Sequence, residues 1–267
     1  MGLPPKKYAD LSMDTLTQFV VVTGASSDHF RESIDAVASV QTNLPTRKII
    51  YYDLGLRPGQ IAQLKTWCST EYRKYNTSRY PPVARNLQNY AWKPIIIQDV
   101  LREYPAVFWM DSSFRWMTPD MTQLYQRARD SGGFVLSVPT GHSNFAVTHP
   151  GMFRYLATNI EKQKQTEQFG ATAVFVVNTR ANFDEVLWWY YLCALTEDCV
   201  APSKQRFCRF ASDRFGKFAE CHRFDQSLAN VLLSTRWDYN PSRYAMGASN
   251  LYVIERFVTS HFTVNTC

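Results

Sequence analysis

A buried strand that ends in an acidic residue is the strongest chemical signal in the sequence. The segment Val107–Ser113, VFWMDSS, breaks an apolar run at Asp111. This pattern predicts a carboxylate at the ligand-binding edge of a sheet, where oxygen atoms hold a divalent cation that bridges phosphates. Asp111 and Ser113 are therefore candidate metal ligands, and His261 is a candidate for completing the set. The alternative is that Asp111 is an ordinary turn residue.

Two predicted helix starts carry further charged side chains. In YAWKPIIIQDVL, Lys93 precedes Pro94, so its ammonium and the helix N-terminus could bind a diphosphate. The alternative is an exposed lysine beside a helix-starting proline. In CHRFDQSLANVLL, Asp225 and Gln226 open a helix, and Asp225 could accept a proton from a hydroxyl or bind a sugar hydroxyl. An ordinary N-cap remains the alternative for Asp225.

The segment QFVVVTGASSDHF predicts a strand that ends in a turn of small residues able to approach a phosphate. It does not fit a dinucleotide site, because Asp28 and Phe30 stand where the short-chain dehydrogenase pattern needs glycines. The chain also lacks a Tyr followed four residues later by Lys, which those enzymes require. We therefore disfavour a dehydrogenase, although NAD binding would revive it.

The histidines give one further candidate. His142 lies in a Gly/Ser/Asn loop after a predicted strand and is a candidate for the donor site, whereas His149 follows the predicted helix cap Thr148 and is expected to be structural. The sequence has no H-E-x-x-H or Walker pattern and no recognisable Ser-His-Asp or Cys-His spacing. Hydrolase and phosphotransferase chemistry therefore lack support.

Strand and helix patterns alternate along the chain in the order βαβαβαβ. This alternation predicts a mostly parallel sheet covered by helices on both faces, with ligands bound at the carboxyl ends of the strands. We expect one domain over residues 19–267, preceded by a stem remnant or lead-in over residues 1–18. The expected elements are a helix over 28–40, a strand at 47–56, a helix over 58–67, a strand at 69–76, a helix over 93–103, a strand at 106–110, later strands in GGFVLSVP and TAVFVVNT, a core helix over 186–195 and a helix in CHRFDQSLANVLLST.

Composition limits the classes of partner. The 267 residues are 45% hydrophobic and 15% aromatic with a net charge of +6, and the basic residues form no stripe. Nucleic-acid binding is therefore not indicated, while a small anionic ligand is compatible. The run at 186–195 is too short to span a bilayer. The opening residues do not resemble a signal peptide, yet a chain cut below an N-terminal membrane anchor would look the same.

Cysteines and sequons favour an oxidising compartment. Four of the six cysteines lie between Cys193 and Cys221, and we expect disulfides among some of Cys193, Cys199, Cys208 and Cys221. Asn76 begins an Asn-x-Ser sequon, and Asn265 begins the rarer Asn-x-Cys form. The alternative is a set of reduced, buried cysteines in a cytosolic protein.

Taken together, the chain resembles the GT-A-type nucleotide-diphospho-sugar transferases, and specifically an animal family described as a domain of unknown function. The resemblance is carried, in order, by FVVVTGASSDHF, YAWKPIIIQDVLREYPAVFWMDSSFRW, THPGMFRYL and CHRFDQSLANVLL. It implies a GT-A-like sheet, a UDP-sugar donor with Mn²⁺, and a membrane-anchored enzyme of the Golgi lumen or secretory pathway. It also implies that Thr23, Ala25 and Ser26 contact the base or ribose. Ser113 departs from the second acid of the Asp-x-Asp motif, which puts the metal in question.

The function expected from these residues is a hexosyltransferase-like glycosyltransferase acting from a nucleotide-diphosphate sugar on a glycan or glycoconjugate. Asp111, Ser113 and Lys93 would hold the donor phosphates, and Asp225 with Gln226 would form the catalytic pair. The alternative is a catalytically silent sugar- or nucleotide-binding module on the same fold, motivated by the missing second acid.

Overall fold

The structure, a computed structural model, describes residues 7–247, 250–256 and 262–267. The strands are β1 (Val20–Ala25), β2 (Ile49–Asp53), β3 (Thr70–Lys74), β4 (Ala106–Met110), β5 (Phe114–Trp116), β6 (Phe134–Leu136), β7 (Pro139–Ser143), β8 (Glu167–Phe169), β9 (Ala173–Val177) and β10 (Tyr252–Ile254). The α-helices are α1 (Met13–Thr17), α2 (Phe30–Asn43), α3 (Pro58–Leu64), α4 (Pro82–Arg85), α5 (Trp92–Leu101), α6 (Thr122–Asp130), α7 (Ile160–Gln165), α8 (Arg180–Asn182), α9 (Trp188–Ala194), α10 (Glu197–Val200) and α11 (Phe224–Arg236). Short 3₁₀ turns lie at Thr77–Arg79, Leu87–Asn89, Phe145–Val147, Met152–Arg154 and Pro241–Arg243, and a π-helical turn at Phe183–Leu187 leads into α9.

A six-stranded sheet in the order β3-β2-β1-β4-β9-β6 forms the centre of the described residues. Strands β1 to β4 run parallel to one another, and β9 runs antiparallel to both of its neighbours, β4 and β6. Two-stranded pairs, β5 with β10 and β7 with β8, flank this sheet. The predicted α/β class with a mostly parallel sheet is confirmed.

The order of the strands creates a crevice beside β1. The chain leaves β1 for β2 and β3 on one side, and then returns to place β4 on the other side of β1. At such a reversal the connections diverge to opposite faces of the sheet, so a cleft opens at the carboxyl ends of the two central strands. Those ends are Ala25 and Met110.

The core lies on both faces of the sheet because β1, β2, β4 and β9 are buried along their whole length. Alternate residues of β1 face opposite sides: Val20 and Val22 join one apolar cluster, and Val21 joins the other. Helix α5 belongs to the first cluster and α2 to the second. Strands without a solvent face explain why the sequence shows continuous apolar runs there.

Most of the predicted elements are present. The strand at 106–110 is confirmed with its bounds, and the helices predicted over 58–67 and 93–103 are α3 and α5 with slightly different ends. The helix predicted to follow the cap Thr148 is wrong, because the chain forms only a 3₁₀ turn at Met152–Arg154. Gly151 lies close to Pro202, so contact with the loop that contains Pro202 determines the path of this segment. Residues 1–18 contribute α1, with Leu16 in the core, and their role as a stem stays a prediction.

All six cysteines form disulfides. Cys193–Cys199 and Cys208–Cys221 lie within the expected cluster, which confirms that part of the prediction. Cys68–Cys267, at a sequence separation of 199, was not expected. Among the described helices, none has the length and apolarity that a membrane crossing needs.

Gly24 is required by the close approach of β1 and β2. A Cβ at this position would lie 2.9 Å from the backbone oxygen of Tyr52, which cannot move aside cheaply. We expect Gly24→Ala to lower the free energy of unfolding by roughly 1–3 kcal/mol in urea denaturation. Gly59→Ala is the matched control, since Gly59 lies in α3 with nothing within 4 Å of its added Cβ. An equal loss in both variants would contradict this packing argument.

Candidate active site

Two adjoining cavities lie at the carboxyl ends of β1 and β4. The outer cavity, of about 480 Å³, is lined by Ala25, Ser26, Tyr90, Trp92, Asp111 and Ser113 among others. The inner cavity, of about 180 Å³, is lined by Lys93, Asp111, Thr172, Arg223, Asp225 and Gln226 among others. Asp111, Tyr90, Arg206 and Arg256 border both cavities, which therefore form one continuous cleft.

A buried lysine joins the two predicted functional carboxylates. The Nζ atom of Lys93 lies 3.0 Å from Oδ1 of Asp111 and 2.9 Å from Oδ2 of Asp225. It also donates a hydrogen bond of 3.0 Å to the backbone oxygen of Ala171. An ammonium has three protons, so these partners use its full donor capacity. The structure thus brings Lys93, Asp111 and Asp225 together, although the lysine contacts protein carboxylates where the sequence suggested a diphosphate.

The burial of these groups differs along the bridge. The side chains of Lys93 and Asp225 are 4% and 6% exposed, while that of Asp111 is 33% exposed and faces the cleft. Burial opposes the charged form of Lys93, but the carboxylates of Asp111 and Asp225 outweigh it and raise the pKa of the ammonium. Burial raises the pKa of the Asp225 carboxyl, and the Lys93 ammonium opposes that rise. The bridge is a cluster of three charged groups, of which Asp111 is the most exposed.

Aromatic residues surround the bridge and fix its geometry. The indole Nε1 of Trp109 donates to Oδ1 of Asp111 at 2.8 Å, and the Lys93 ammonium lies 5.7 Å from the Trp109 ring centroid. Tyr90 and Phe224 have left-handed backbones, with φ of 53° and 42°, and their rings are 5.7 Å apart. Such conformations are strained for bulky residues and concentrate at functional sites. Both residues border the inner cavity.

The predicted nucleotide-contact residues separate into two groups. Ala25 and Ser26 line the outer cavity, with the Ser26 hydroxyl hydrogen-bonded to Asp28. Thr23 is fully buried inside β1 and does not border the cleft. Thr23 directly precedes Gly24, which lines the outer cavity. The side chain of Thr23 itself packs within the sheet.

The remaining predicted site residues are equally divided. Ser113 lines the outer cavity, and Gln226 lines the inner one while donating to Gln168 at 2.6 Å. His142 is buried in β7, stacked on Phe210, and lines neither cavity. Burial lowers the pKa of His142 to about 4. His261 lies outside the described residues.

The described side chains do not fit a divalent cation at Asp111. Oδ1 of this residue already accepts from Trp109 and faces the Lys93 ammonium, and Ser113 is neutral. Over the described part of the chain, no group of three His, Cys, Asp or Glu side chains is placed to hold a metal ion. A cation bound by Asp111 would also face the Lys93 charge, at roughly 4 kcal/mol per unit charge for a 4 Å separation near a protein surface. We therefore derive no step through a metal.

Three arginines in the cleft were missed from the sequence. Arg206 and Arg256 border both cavities, and Arg223 borders the inner one. One signal was present, since Arg223 lies two residues before Asp225 in a segment already singled out. Arg206 and Arg256 are remote in sequence and give no local motif.

Comparisons with known proteins identify the fold. A family model described as "Protein of unknown function (DUF1647)" matches residues 5–98, roughly a third of the chain. No curated protein sequence matches the chain. The structure of core-mannan synthase A from Aspergillus fumigatus, in a Mn/GDP form, is similar with a TM-score of 0.50 and 8% identity, over 99% of this chain and 88% of that one.

Two further solved structures are more distant. Mouse xyloside xylosyltransferase 1 has a TM-score of 0.48 and 11% identity, over 85% of this chain and 83% of that one. The galactosyltransferase LgtC has a TM-score of 0.40 and 14% identity, over 65% of this chain, which spans 64% of that structure. The similarity to core-mannan synthase A establishes the fold alone: a single mixed α/β domain with a GT-A-type central sheet.

Removing the bridging ammonium should strongly destabilise the fold. Lys93→Met leaves Asp225 buried without its counter-ion, and we expect the free energy of unfolding to fall by about 3–5 kcal/mol. The double variant Lys93→Met/Asp225→Asn should lose less than the sum of the single changes, because the uncompensated charge is gone. Urea denaturation of all three measures this coupling.

A surface pair provides the control for that cycle. Lys162 pairs with Asp238, but their side chains are 48% and 85% exposed. Lys162→Met should therefore cost less than about 1 kcal/mol. Strictly additive losses for Lys93 and Asp225 would refute an energetically coupled bridge.

His222 should make the fold sensitive to acid. Its Nε2 donates to the Val200 oxygen at 3.0 Å, and its Nδ1 accepts from the amide of His149 at 3.2 Å, so the ring is neutral. Burial lowers the pKa of His222 to about 4. The unfolded chain binds this proton near pH 6.5, so stability is full above that pH and is lost as the pH falls toward 4.

The expected loss over this pH range is roughly 3 kcal/mol at most. His222→Gln should flatten the dependence of unfolding free energy on pH, measured in urea between pH 7 and pH 4.5. His29→Gln, at an exposed histidine, should leave the dependence unchanged. An unaltered slope in His222→Gln would rule out this residue as the source.

Proposed function

We propose that the chain is a glycosyltransferase that moves a sugar from a nucleotide-diphosphate donor, a UDP-sugar, to a glycan or glycoconjugate. The observation that carries this proposal is the cleft at the reversal between β1 and β4, with the Asp111–Lys93–Asp225 bridge at its base. Ligands of open α/β sheets bind at this position. The GT-A fold adds support, since transferases share it.

The outer cavity suits the nucleoside of the donor. Ala25 and Ser26 offer small side chains at the end of β1, where a ribose or base can approach the backbone. Tyr90, 37% exposed, offers an aromatic face to the same cavity, which the buried Trp92 also lines. Base stacking on such a ring is a common and sequence-tolerant contact.

The inner cavity suits the sugar and the attacking hydroxyl. In the transfer, the acceptor oxygen forms a bond to the anomeric carbon while the bond from that carbon to the β-phosphate oxygen breaks. In an inverting reaction, the Asp225 carboxylate takes the acceptor proton, and the Lys93 ammonium holds Asp225 ready in its ionised form. In a retaining reaction, Asp225 and Gln226 position the donor sugar.

The compartment fits a lumenal enzyme. Three disulfides persist only where the surroundings are oxidising, as in the secretory pathway. Asn76 is exposed beside a 3₁₀ turn and is open to N-glycosylation. We propose the Golgi lumen as its location on these grounds.

A silent binding module is the second candidate function. The observation that favours it is the bridge itself, since Lys93 contacts both carboxylates that would do chemistry. Such a module would bind a donor nucleotide or a sugar without turnover. The two functions differ in the fate of the bound donor.

The decisive experiment combines a donor panel with two variants. UDP-, GDP- and CMP-sugars are tested for binding by calorimetry and for transfer or hydrolysis by release of the nucleotide. We expect Asp225→Asn to lower turnover at least about a hundredfold while donor affinity changes only a few-fold. Asp111→Asn should weaken both, because its carboxylate faces the cleft.

Asp130→Asn is the control, because Asp130 is an exposed residue at the end of α6. Circular dichroism confirms that each variant is folded. Donor binding with no turnover by the unmodified protein would favour the silent module, and the absence of binding to every nucleotide sugar would refute both candidates.

A further inference from the structure

Three arginines among the described residues border the cleft. Arg206, Arg223 and Arg256 border the inner cavity, and no ion pair or side-chain hydrogen bond joins them to the described carboxylates. Burial lowers the pKa of Arg223, and repulsion from Arg256 adds to that decrease. Arginines held close to one another without counter-ions are typical of a site for an anion.

A disulfide places two of these arginines side by side. Arg206 lies two residues before Cys208, and Arg223 lies two residues after Cys221. The disulfide holds the Cα atoms of Cys208 and Cys221 4.8 Å apart. Backbone bonds from Arg209 to Ala219 and from His222 to Gln205 extend this pairing. Arg206 and Arg223 are therefore held on neighbouring segments of one cross-linked loop.

The third arginine reaches the cleft from a different element. Arg256 follows β10, whose partner β5 begins one residue after Ser113. The amide of Glu255 donates to the Ser113 oxygen at 2.8 Å, which fixes this end of the segment beside the Asp111 loop. The positive side chains thus approach the cavity from two sides.

The charge of the inner cavity matches a diphosphate. Its lining contains the cations Lys93, Arg206, Arg223 and Arg256 and the carboxylates Asp111 and Asp225. Once the two carboxylates are set against the four cations, an excess of two positive charges remains, and the arginines carry it. A diphosphate diester carries roughly two negative charges, one for each phosphate. Each guanidinium group can bind phosphate oxygens through two parallel hydrogen bonds.

We propose that Arg206, Arg223 and Arg256 bind the donor diphosphate directly and that the divalent cation of a Mn²⁺-dependent site is not needed. The proposal rests on the nucleotide-sugar function argued above, and it follows from the misfit between Asp111 and a metal ion. The arginines neutralise the charge of the leaving diphosphate. The Asp111–Lys93–Asp225 bridge then acts on the sugar and the acceptor hydroxyl.

The test is titration calorimetry in the presence of a chelator. The probes are UDP, GDP, CDP and ADP, uridine as a ligand without phosphate, and inorganic pyrophosphate. We expect at least one nucleoside diphosphate to bind in chelator, with an affinity that falls steeply as salt is raised. Added Mn²⁺ should change that affinity less than about threefold.

Arginine variants identify the groups responsible. Arg206→Gln, Arg223→Gln and Arg256→Gln should each weaken diphosphate binding by about tenfold and leave uridine binding unchanged. Arg209→Gln is the matched control, since Arg209 lies in the same cross-linked loop but is exposed and near Glu220 at 3.6 Å. Melting curves establish that each variant is folded.

The outcomes separate this proposal from the proposed function. Diphosphate or pyrophosphate binding in chelator, reduced by the cleft variants and not by the control, supports the arginine site even if no sugar is transferred. Binding that needs Mn²⁺ and is lost in His261→Ala or Ser113→Ala overturns it and leaves the transferase function in place. Absence of binding by every phosphate probe, or equal loss in Arg209→Gln, also overturns it.

Discussion

One ammonium group connects the parts of the molecule that meet at the cleft. Lys93 belongs to the first turn of α5, Asp111 follows β4 and Asp225 belongs to the first turn of α11. Taking these charges out of water costs several kcal/mol each, and the cost is recovered only when all three are together. The two helices can therefore dock on the end of the sheet in one arrangement. Apolar packing alone would tolerate small shifts between them.

The sheet gives this charged cluster a rigid support from which water is excluded. Strands β1 and β4 are buried on both faces, and helices cover each side. The low polarizability of these surroundings strengthens each ionic contact and equally makes an unpaired charge costly. Of the three charged groups in the bridge, Asp111 is the most exposed to solvent. The charged groups of the cleft therefore depend on the apolar core beneath them.

The sequence predicted the edge of the sheet well and the interior of the cleft poorly. Continuous apolar runs identified β1 and β4, and parallel strands share one carboxyl edge, so Ala25, Ser26 and Asp111 were expected together. The burial of Thr23 depends on packing that a single strand pattern does not reveal. The partners of Lys93 come from β4 and α11, remote in sequence, and spacing cannot show such contacts. The arginines depend on the Cys208–Cys221 pairing, which is one of several pairings that the cysteine count allowed.

The Cys68–Cys267 disulfide changes how the chain would respond to a protease. The segment around Cys267 lies against the loop before β3, with its amides bonded to Thr66 and Gln41. Everything between Cys68 and Cys267 is consequently part of one covalent ring. Among the described residues of that ring, the most exposed large apolar side chain is that of Phe207, 79% exposed and next to Cys208. A single cut there would open the ring without dividing the molecule, and both pieces would stay joined through sulfur until a reductant released them.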